Sequence, residues 1–518
     1  MHRMNRTLIR TTLIVLCSLL LWSCQPSDKQ VVILFTNDTH SQITPIATDA
    51  SRNAGMGGVE RRKVLIDSLR SHYPEALLVD AGDAVQGTPY FNLYAGKIET
   101  LILNELGYDV RTVGNHEFDN GREALAALLS TYNGVTVSSN YTYHNTHLQE
   151  CVTPSWMCNA GGVKVGFIGL NVDPHGLLCT DHARDITYHD PIAIADSLAL
   201  QLRNQGADIV VALSHLGYIR DKINGTNVID SVLIENTHYI DMVIGGHSHS
   251  YLTEARYHKN LDGKSIAVGQ TGKSGVYLGF AHITIPADKK KDIIVDYRLL
   301  PVDARYDNRL DNDFATLLQP YKMEVDSVMN IVIGTTLDTL YVAKPESPLS
   351  NWACDAFADM ARRRTGEAVD FAILNTGGIR ADITPREVTR GEIWASFPFS
   401  NVMSVLKMRG SDVEQLFAQI ANNGGEGVSR EVRLDIEKGQ VASLTIEGRP
   451  IDKERIYTVA TLNFVADGGD GMAAFTQAIE RKDYPGFVYE LFEGYVNELT
   501  HRGANMTAHN DGRITIIE

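Results

Sequence analysis

Five short segments of this sequence end in the same way. Val31-Val32-Ile33-Leu34-Phe35 runs into Asn37-Asp38-Thr39-His40, and Ala76-Leu77-Leu78-Val79 into Asp80-Ala81-Gly82-Asp83. Val110 to Val113 leads into Gly114-Asn115-His116-Glu117-Phe118-Asp119, Ile209 to Leu213 into Ser214-His215, and Met242 to Ile244 into Gly245-Gly246-His247-Ser248-His249. Each apolar run reads as a buried strand, and each delivers Asp, Asn or His at its carboxyl end. Seven candidate metal ligands result: Asp38, His40, Asp83, Asn115, His215, His247 and His249. A carboxylate, amide and imidazole set suits Zn²⁺, Mn²⁺ or Fe²⁺ better than Ca²⁺ or a thiolate-seeking metal. With Asp83 shared, the seven divide into two four-ligand sites. Two cations about 3.5–4 Å apart can activate a water and clamp both oxygens of an in-line displacement at phosphorus. Taken singly, a strand-end Asp is usually a turn former and a lone His a satisfied polar residue. The recurrence over five independent segments is what points to a metal centre.

These residues need a frame that brings strand ends together, and open α/β sheets gather ligands beyond the carboxyl ends of their strands. Asp38 and His40, two apart in an extended segment, are expected on one side, as are His247 and His249. From Val31 to about Leu300, β-branched runs alternate with helical stretches, an α/β pattern. Around residues 303–313 the chain turns charged, and Leu317, Leu318, Tyr321 and Val325 then predict a helix from about Asn312 to Met329. A second α/β region follows. The organisation expected is a domain over 31–300, a linker with its helix over 301–330, and a second domain over 331–518.

At 518 residues the chain is too long for one ordinary domain, and 44% hydrophobic against 21% charged residues rules out wholesale disorder. A net charge of −16 argues against a nucleic-acid polymer as partner. It leaves room for a small phosphorylated substrate at a local cationic site. No GxGxxG follows the first strand, which argues against a dinucleotide-dependent dehydrogenase. Arg3, Arg6 and Arg10 before the apolar run Leu13 to Trp22 read as a signal peptide over 1–23, since a bilayer span takes about 20 apolar residues. Ser23-Cys24 resembles a bacterial lipobox, so Cys24 is the expected lipidation site and a lipid-anchored protein outside the cytoplasm the expected product. Ordinary cleavage to a soluble periplasmic protein is the alternative. No CxxC pair occurs, so structural zinc is not expected; export would permit a Cys151–Cys158 disulfide, which spacing does not establish.

Together these residues resemble the calcineurin-like metallophosphatases and, within them, the 5′-nucleotidase family, whose GNHEFD hallmark stands at Gly114–Asp119. Phe35 stands where that family usually has His, Glu or Ala, a departure on the strand itself. The resemblance implies a four-layer αββα sandwich, a linker helix and an α/β (α+β) substrate-binding domain. It implies that Asp38, His40, Asp83 and His249 hold one cation, and Asp83, Asn115, His215 and His247 the other. Zn or Mn are expected, with Fe, Co or Mg also compatible. His116 and Asp119 match the family's catalytic dyad, with His116 donating to phosphate oxygens and Asp119 orienting its ring.

In the second region, Asn375-Thr376-Gly377-Gly378-Ile379-Arg380, Phe397-Pro398-Phe399-Ser400-Asn401 and Asn463-Phe464 through Asp467-Gly468-Gly469-Asp470-Gly471 match the family's substrate loops. Arg380 offers a planar fork for phosphate, Phe399 and Phe464 can sandwich a base, and Asp470 can accept from ribose hydroxyls. The family adds Asn375 and Asn401 as nucleoside contacts. Two departures bear on the substrate. Pro345, with Lys344 alongside, stands where an Arg often precedes Glu346, and Arg430 replaces a glycine near the expected pocket. The leading function is removal of the 5′-phosphate from nucleoside monophosphates by metal-activated water. Nucleotide-sugar or dinucleotide pyrophosphatase and 2′,3′-cyclic-nucleotide phosphodiesterase activities share the metal site, and a non-catalytic binding lipoprotein is the contrasting class.

Overall fold

A computed structural model describes residues 27–48, 53–144, 146–175, 177–178, 180–219, 228–288 and 291–517. The signal segment and Cys24 lie outside the described residues, as does Cys179. The chain forms two mixed α/β domains.

Two six-stranded sheets build the first. One is ordered Ile294–Pro301, Tyr277–Ile285, Lys29–Thr36, Leu77–Asp80, Val110–Thr112, Val135–Val137. The other runs Arg256–Lys259, Ser265–Gly269, Met242–Gly245, Ile209–His215, Val163–Asn171, Ser155–Ala160. The alternation of side chains along each strand explains why the sheets stack. Val31, Ile33, Phe35, Leu77 and Val79 meet Phe167, Val211, Leu213, Met242 and Ile244 in one core between the sheets. The intervening Val32, Leu34 and Leu78 face outward onto Ile66, Ile98 and Ile102, from helices Val59–His72 and Lys97–Leu106. On the far side Val210, Ala212 and Val243 meet Ala195, Ala199 and Leu233, from helices Pro191–Asn204 and Asp230–Glu235. Helix, sheet, sheet and helix thus form four layers. Phe35 is fully buried opposite Gly279, on which a β-carbon would lie 2.2 Å from its ring. Its place at the strand position where the family varies is therefore one of packing.

The helix Asn312–Met329 spans the predicted bounds, capped by Asp311, whose side chain accepts from the amides of Asp313 and Phe314. Phe314, Leu318, Val325 and Met329 are buried on one stripe. They join the outer core of the first domain to that of the second, so one apolar cluster runs through both. The second domain holds a five-stranded sheet with central strands Phe371–Leu374, Ile456–Leu462 and Val402–Arg409, and a four-stranded sheet that includes Val432–Glu437 and Ile514–Ile517. Cys151 and Cys158 are both free thiols, which removes the disulfide that export would have permitted. They sit on different elements, the short helix Leu148–Cys151 and the edge strand Ser155–Ala160.

Candidate active site

The five strand ends do converge. Asp38, His40 and His249 bring one ligand atom each within 4.8 Å of one another, and Asp38, Asp83 and His215 form a second such group. Asp38 thus belongs to both groups. His40 Nε2 and His249 Nε2 are 2.9 Å apart, and His249 Nε2 is 3.5 Å from Asp38 Oδ1. His215 Nε2 lies 3.0 Å from Asp83 Oδ2 and 3.2 Å from Asn115 Oδ1, and that amide oxygen is 3.0 Å from His247 Nδ1. All seven expected ligands therefore surround one small volume.

The way they get there corrects the sequence expectation. Asp38 and His40 do not alternate along an extended segment; they have φ of 50° and 48°, and Asp83, His247 and His249 also lie in the left-handed region at 54°, 68° and 51°. Asp and His tolerate this conformation better than most residues, and strain of this kind concentrates at functional sites. The loops are held in it by buried hydrogen bonds. Asn37 donates to the Gly272 carbonyl and accepts from the amide and hydroxyl of Thr271, tying the first strand end to the loop after Ser265–Gly269. Glu117, inside the hallmark, accepts from the amides of Asp83, Ala84 and Gly114 at 2.9, 3.0 and 2.6 Å and pairs with buried Arg111. Glu117 thereby locks two ligand loops to each other. It is not among the residues that type and spacing single out, although a carboxylate in the middle of GNHEFD was the available signal. Gly114 belongs to the same lock, since a β-carbon there would lie 2.2 Å from Asp83 Oδ1.

The donor set fits divalent cations. His215 Nδ1 donates to the Ala81 carbonyl at 2.8 Å, so in the neutral ring Nε2 carries a lone pair that faces the Asp83 carboxylate and the Asn115 oxygen. Ring nitrogens and carboxylate and amide oxygens crowd together here, an arrangement that a cation relieves. Without metal, a proton does so in part. Burial opposes charge on His215, but Asp83 and Asp38 outweigh it and pull its pKa up to about 10. Burial, with His215 next to it, holds His247 down to about 3, and burial with the His249 ring beside it keeps His40 well below the usual imidazole range. Burial alone would raise Asp83; the cationic forms of His215 and His116 hold it well below the usual carboxylate range instead. His40, His247 and Asp83 thereby favour the protonation states that metal ligation requires, whereas His215 must release its proton to bind a cation.

His116 stands beside this cluster. Its amide donates to Asp83 Oδ1 at 2.8 Å, and its Nδ1 is 3.1 Å from Asp119 Oδ2 across a 3₁₀ turn, His116–Phe118. Burial disfavours its charge, yet Asp119 and Asp83 raise its pKa above the ordinary value. From the second domain Arg380 reaches it: Arg380 Nη2 is 3.5 Å from His116 Nε2. The Arg380 guanidinium lies 5.0 Å from the centroid of Phe399, whose ring is 5.6 Å from that of His116. Asn375 Nδ2 donates to Asp470 Oδ2 at 2.6 Å. Asn375, Arg380, Phe399, Asn401, Phe464 and Asp470 all line one cavity of about 820 Å³ whose inner wall is Asp83, Asn115, His116, His247 and His249. Its volume lies in the upper range for small-molecule sites.

Neither sequence departure enters that cavity. Lys344 Nζ pairs with buried Glu426 at 2.5 Å and donates to the Asn423 carbonyl, so it does not substitute for a missing Arg on the substrate. Glu426 in turn accepts from the amide of Thr376, which fixes the loop before Arg380. Arg430 turns outward to Asp359, 2.7 Å away, and is half-exposed. A long cation next to available surface carboxylates gains hydration by leaving a confined pocket. A further cavity-lining ring that the sequence motifs did not single out is His182, 3.6 Å from where a Gly121 β-carbon would sit.

Comparison with known proteins agrees with this geometry. Residues 31–251 match the family described as calcineurin-like phosphoesterase, and residues 332–477 match the 5′-nucleotidase C-terminal domain. The chain belongs to the 5′-nucleotidase family. Like other members it is a metallophosphoesterase-type hydrolase. It is 28% identical over 493 residues to a snake venom 5′-nucleotidase of Crotalus adamanteus, covering 85% of this chain and 82% of that one. It is 26% identical over 543 residues to a 5′-nucleotidase of Homo sapiens, covering 94% and 92% of the two chains. The crystal structure of a 5′-nucleotidase precursor from Thermus thermophilus superposes with a TM-score of 0.82, at 27% identity over 95% of this chain and all of that one. Among the described residues no helix is long and apolar enough to cross a membrane.

Proposed function

We propose that this 5′-nucleotidase-family chain removes the 5′-phosphate of nucleoside monophosphates with two divalent cations, outside the cytoplasm and anchored through Cys24. The observation that carries the reading is one cavity lined by Asp83, Asn115, His247 and His249 of the ligand cluster together with His116, Arg380, Phe399 and Phe464. That lining offers groups for phosphate, sugar and base together. Asp38, His40, Asp83 and His249 would hold one cation, and Asp83, Asn115, His215 and His247 the other, with Zn or Mn best suited to the donors. When bound, such cations supply positive charge at the phosphate oxygens and acidify water.

The side chains do the rest. Arg380 grips the outer phosphate oxygens with its planar fork. His116, whose pKa Asp119 and Asp83 raise against the opposing effect of burial, donates to an oxygen on which negative charge builds as the P–O bond breaks. Asp119 fixes the ring so that Nε2 faces the phosphate. Asn375 and Asp470 meet the sugar hydroxyls, and Phe399 and Phe464 stack on the base, with Asn401 at its edge. The outward placement of Lys344 and Arg430 favours a monophosphate over a diphosphate, because Arg380 then remains the main cation for one phosphoryl group. The test is kcat/KM for AMP, CMP and UMP against UDP-glucose and a 2′,3′-cyclic nucleotide, with metal content measured on the same preparation. Monophosphates turned over at least about tenfold better, with about two ions per chain, support the proposal. Negligible turnover of every monophosphate overturns it.

A further inference from the structure

We propose that Asp467, Arg481 and Asp483 form a base-reading rim that selects nucleotides whose base carries an exocyclic amino group. The inference rests on the nucleotide reading above and extends it to base choice. All three residues line the same cavity as Phe399 and Phe464. Asp467 follows Phe464 by three residues, beyond the short helix Asn463–Ala466, and so sits one turn along from the ring expected to stack on the base. Arg481 donates to the carbonyl of Asn463, the residue before that ring. The trio therefore borders the stacking slot at its side.

The chemistry of the rim follows from which groups are already engaged. Arg481 Nε donates to Asp483 Oδ1 at 2.9 Å, Nη2 to Asp483 Oδ2 at 3.0 Å and to the Asn463 carbonyl at 3.5 Å, and Nη1 to Asp467 Oδ1. Four of its five N–H donors are thus directed at protein acceptors. A carboxylate has about four acceptor positions, and among the described residues Asp483 meets only Arg481 and the Ser404 hydroxyl. Asp483 is consequently a fixed acceptor with positions to spare, held by an Arg481 that has one N–H left. An amino group at a base edge gains a charge-assisted hydrogen bond there, whereas a keto oxygen in the same place confronts carboxylate oxygens. Adenine and cytosine present that amino group; hypoxanthine and uracil, of nearly the same shape, present oxygen instead.

The measurement is kcat/KM for two matched pairs, AMP against IMP and CMP against UMP, on the metal-reconstituted full chain, alongside p-nitrophenyl phosphate, which has no base. The expected result is a preference for the amino member of each pair of at least about tenfold, the discrimination of one good base contact. Asp483→Asn, which removes the charge and adds an N–H donor, should collapse both ratios toward one, with p-nitrophenyl phosphate reporting that the metal centre survives. Equal turnover within both pairs, or a keto preference, in the unaltered protein overturns the rim, whatever the variant does. Robust turnover of all four nucleotides without preference would leave the phosphohydrolase reading standing, whereas turnover of none would remove that reading as well.

Discussion

The two walls of the cavity are built on different terms. The wall at the ligand cluster consists of short side chains at the ends of central strands, almost all buried, each fixed by a backbone or carboxylate partner. Asp38, Asp83 and His215 are at most 1% exposed, and Glu117 and Asn37 lock their loops together. The opposite wall is made of loops in which long side chains choose among several partners. Arg380 points inward to His116, while Lys344 and Arg430 find carboxylates elsewhere. Where a residue has one reachable conformation, its type and position determine its role. Where it has many, the surrounding charges decide.

The sharpest way to break this contrast is Asp83→Ala, because Asp83 is the carboxylate shared by the two proposed cation sites and lies 3.0 Å from His215 Nε2. Essentially complete loss of turnover with less than one ion retained per chain is expected, read by metal analysis and steady-state kinetics. His116→Ala should separate chemistry from metal holding. A fall in kcat of about 10²–10⁴ is expected with metal content unchanged, and normal turnover would take His116 out of the mechanism.

A third test concerns the cost of making the first wall so dry. Asp230 accepts from Ser214 Oγ beneath His215, and burial raises its pKa to about 7. The folded state holds that proton more tightly than the unfolded chain, whose Asp titrates near pH 4. Its stabilising contribution is therefore complete below about pH 4, declines as pH rises, and is lost above about pH 7. In chelator-treated protein, Asp230→Asn should flatten this decline by a few kcal/mol, since each tenfold difference in proton affinity between the two states is worth about 1.4 kcal/mol. The readout is Tm between pH 4 and 8. An identical pH profile for the variant would refute the assignment. The smallest effect is expected behind the second wall: Arg430→Ala should change kcat/KM for a monophosphate by less than about threefold, as for an exposed ion pair. A large change would put that side chain in the cavity after all.

The same contrast explains what could be read from sequence. The strands, the linker helix and the convergence of the seven ligands were legible because burial imposes alternation on strands and periodicity on helices, and because strand ends meet in α/β sheets. The left-handed backbone at Asp38 and His40 was not legible, since nothing in the residue types distinguishes an extended pair from a turning one. Glu117 escaped notice because its partners are amides from three loops, which sequence does not place together. Lys344 and Arg430 were misplaced because proximity in the chain to pocket loops says little about where a flexible cation ends up. The thiols of Cys151 and Cys158 stayed apart for a related reason: seven residues of separation do not specify a shared element.

The apolar cluster that threads the helix Asn312–Met329 has a practical outcome. Cutting the gene near residue 302 would leave two oily scars, one on each fragment, where Leu318, Val325 and their neighbours had been covered. Fragments expressed separately should clump or seek each other out, and only the uncut polypeptide should stay dispersed. Evolution could thus vary the loops of either half, but would find it hard to trade one half for an unrelated module.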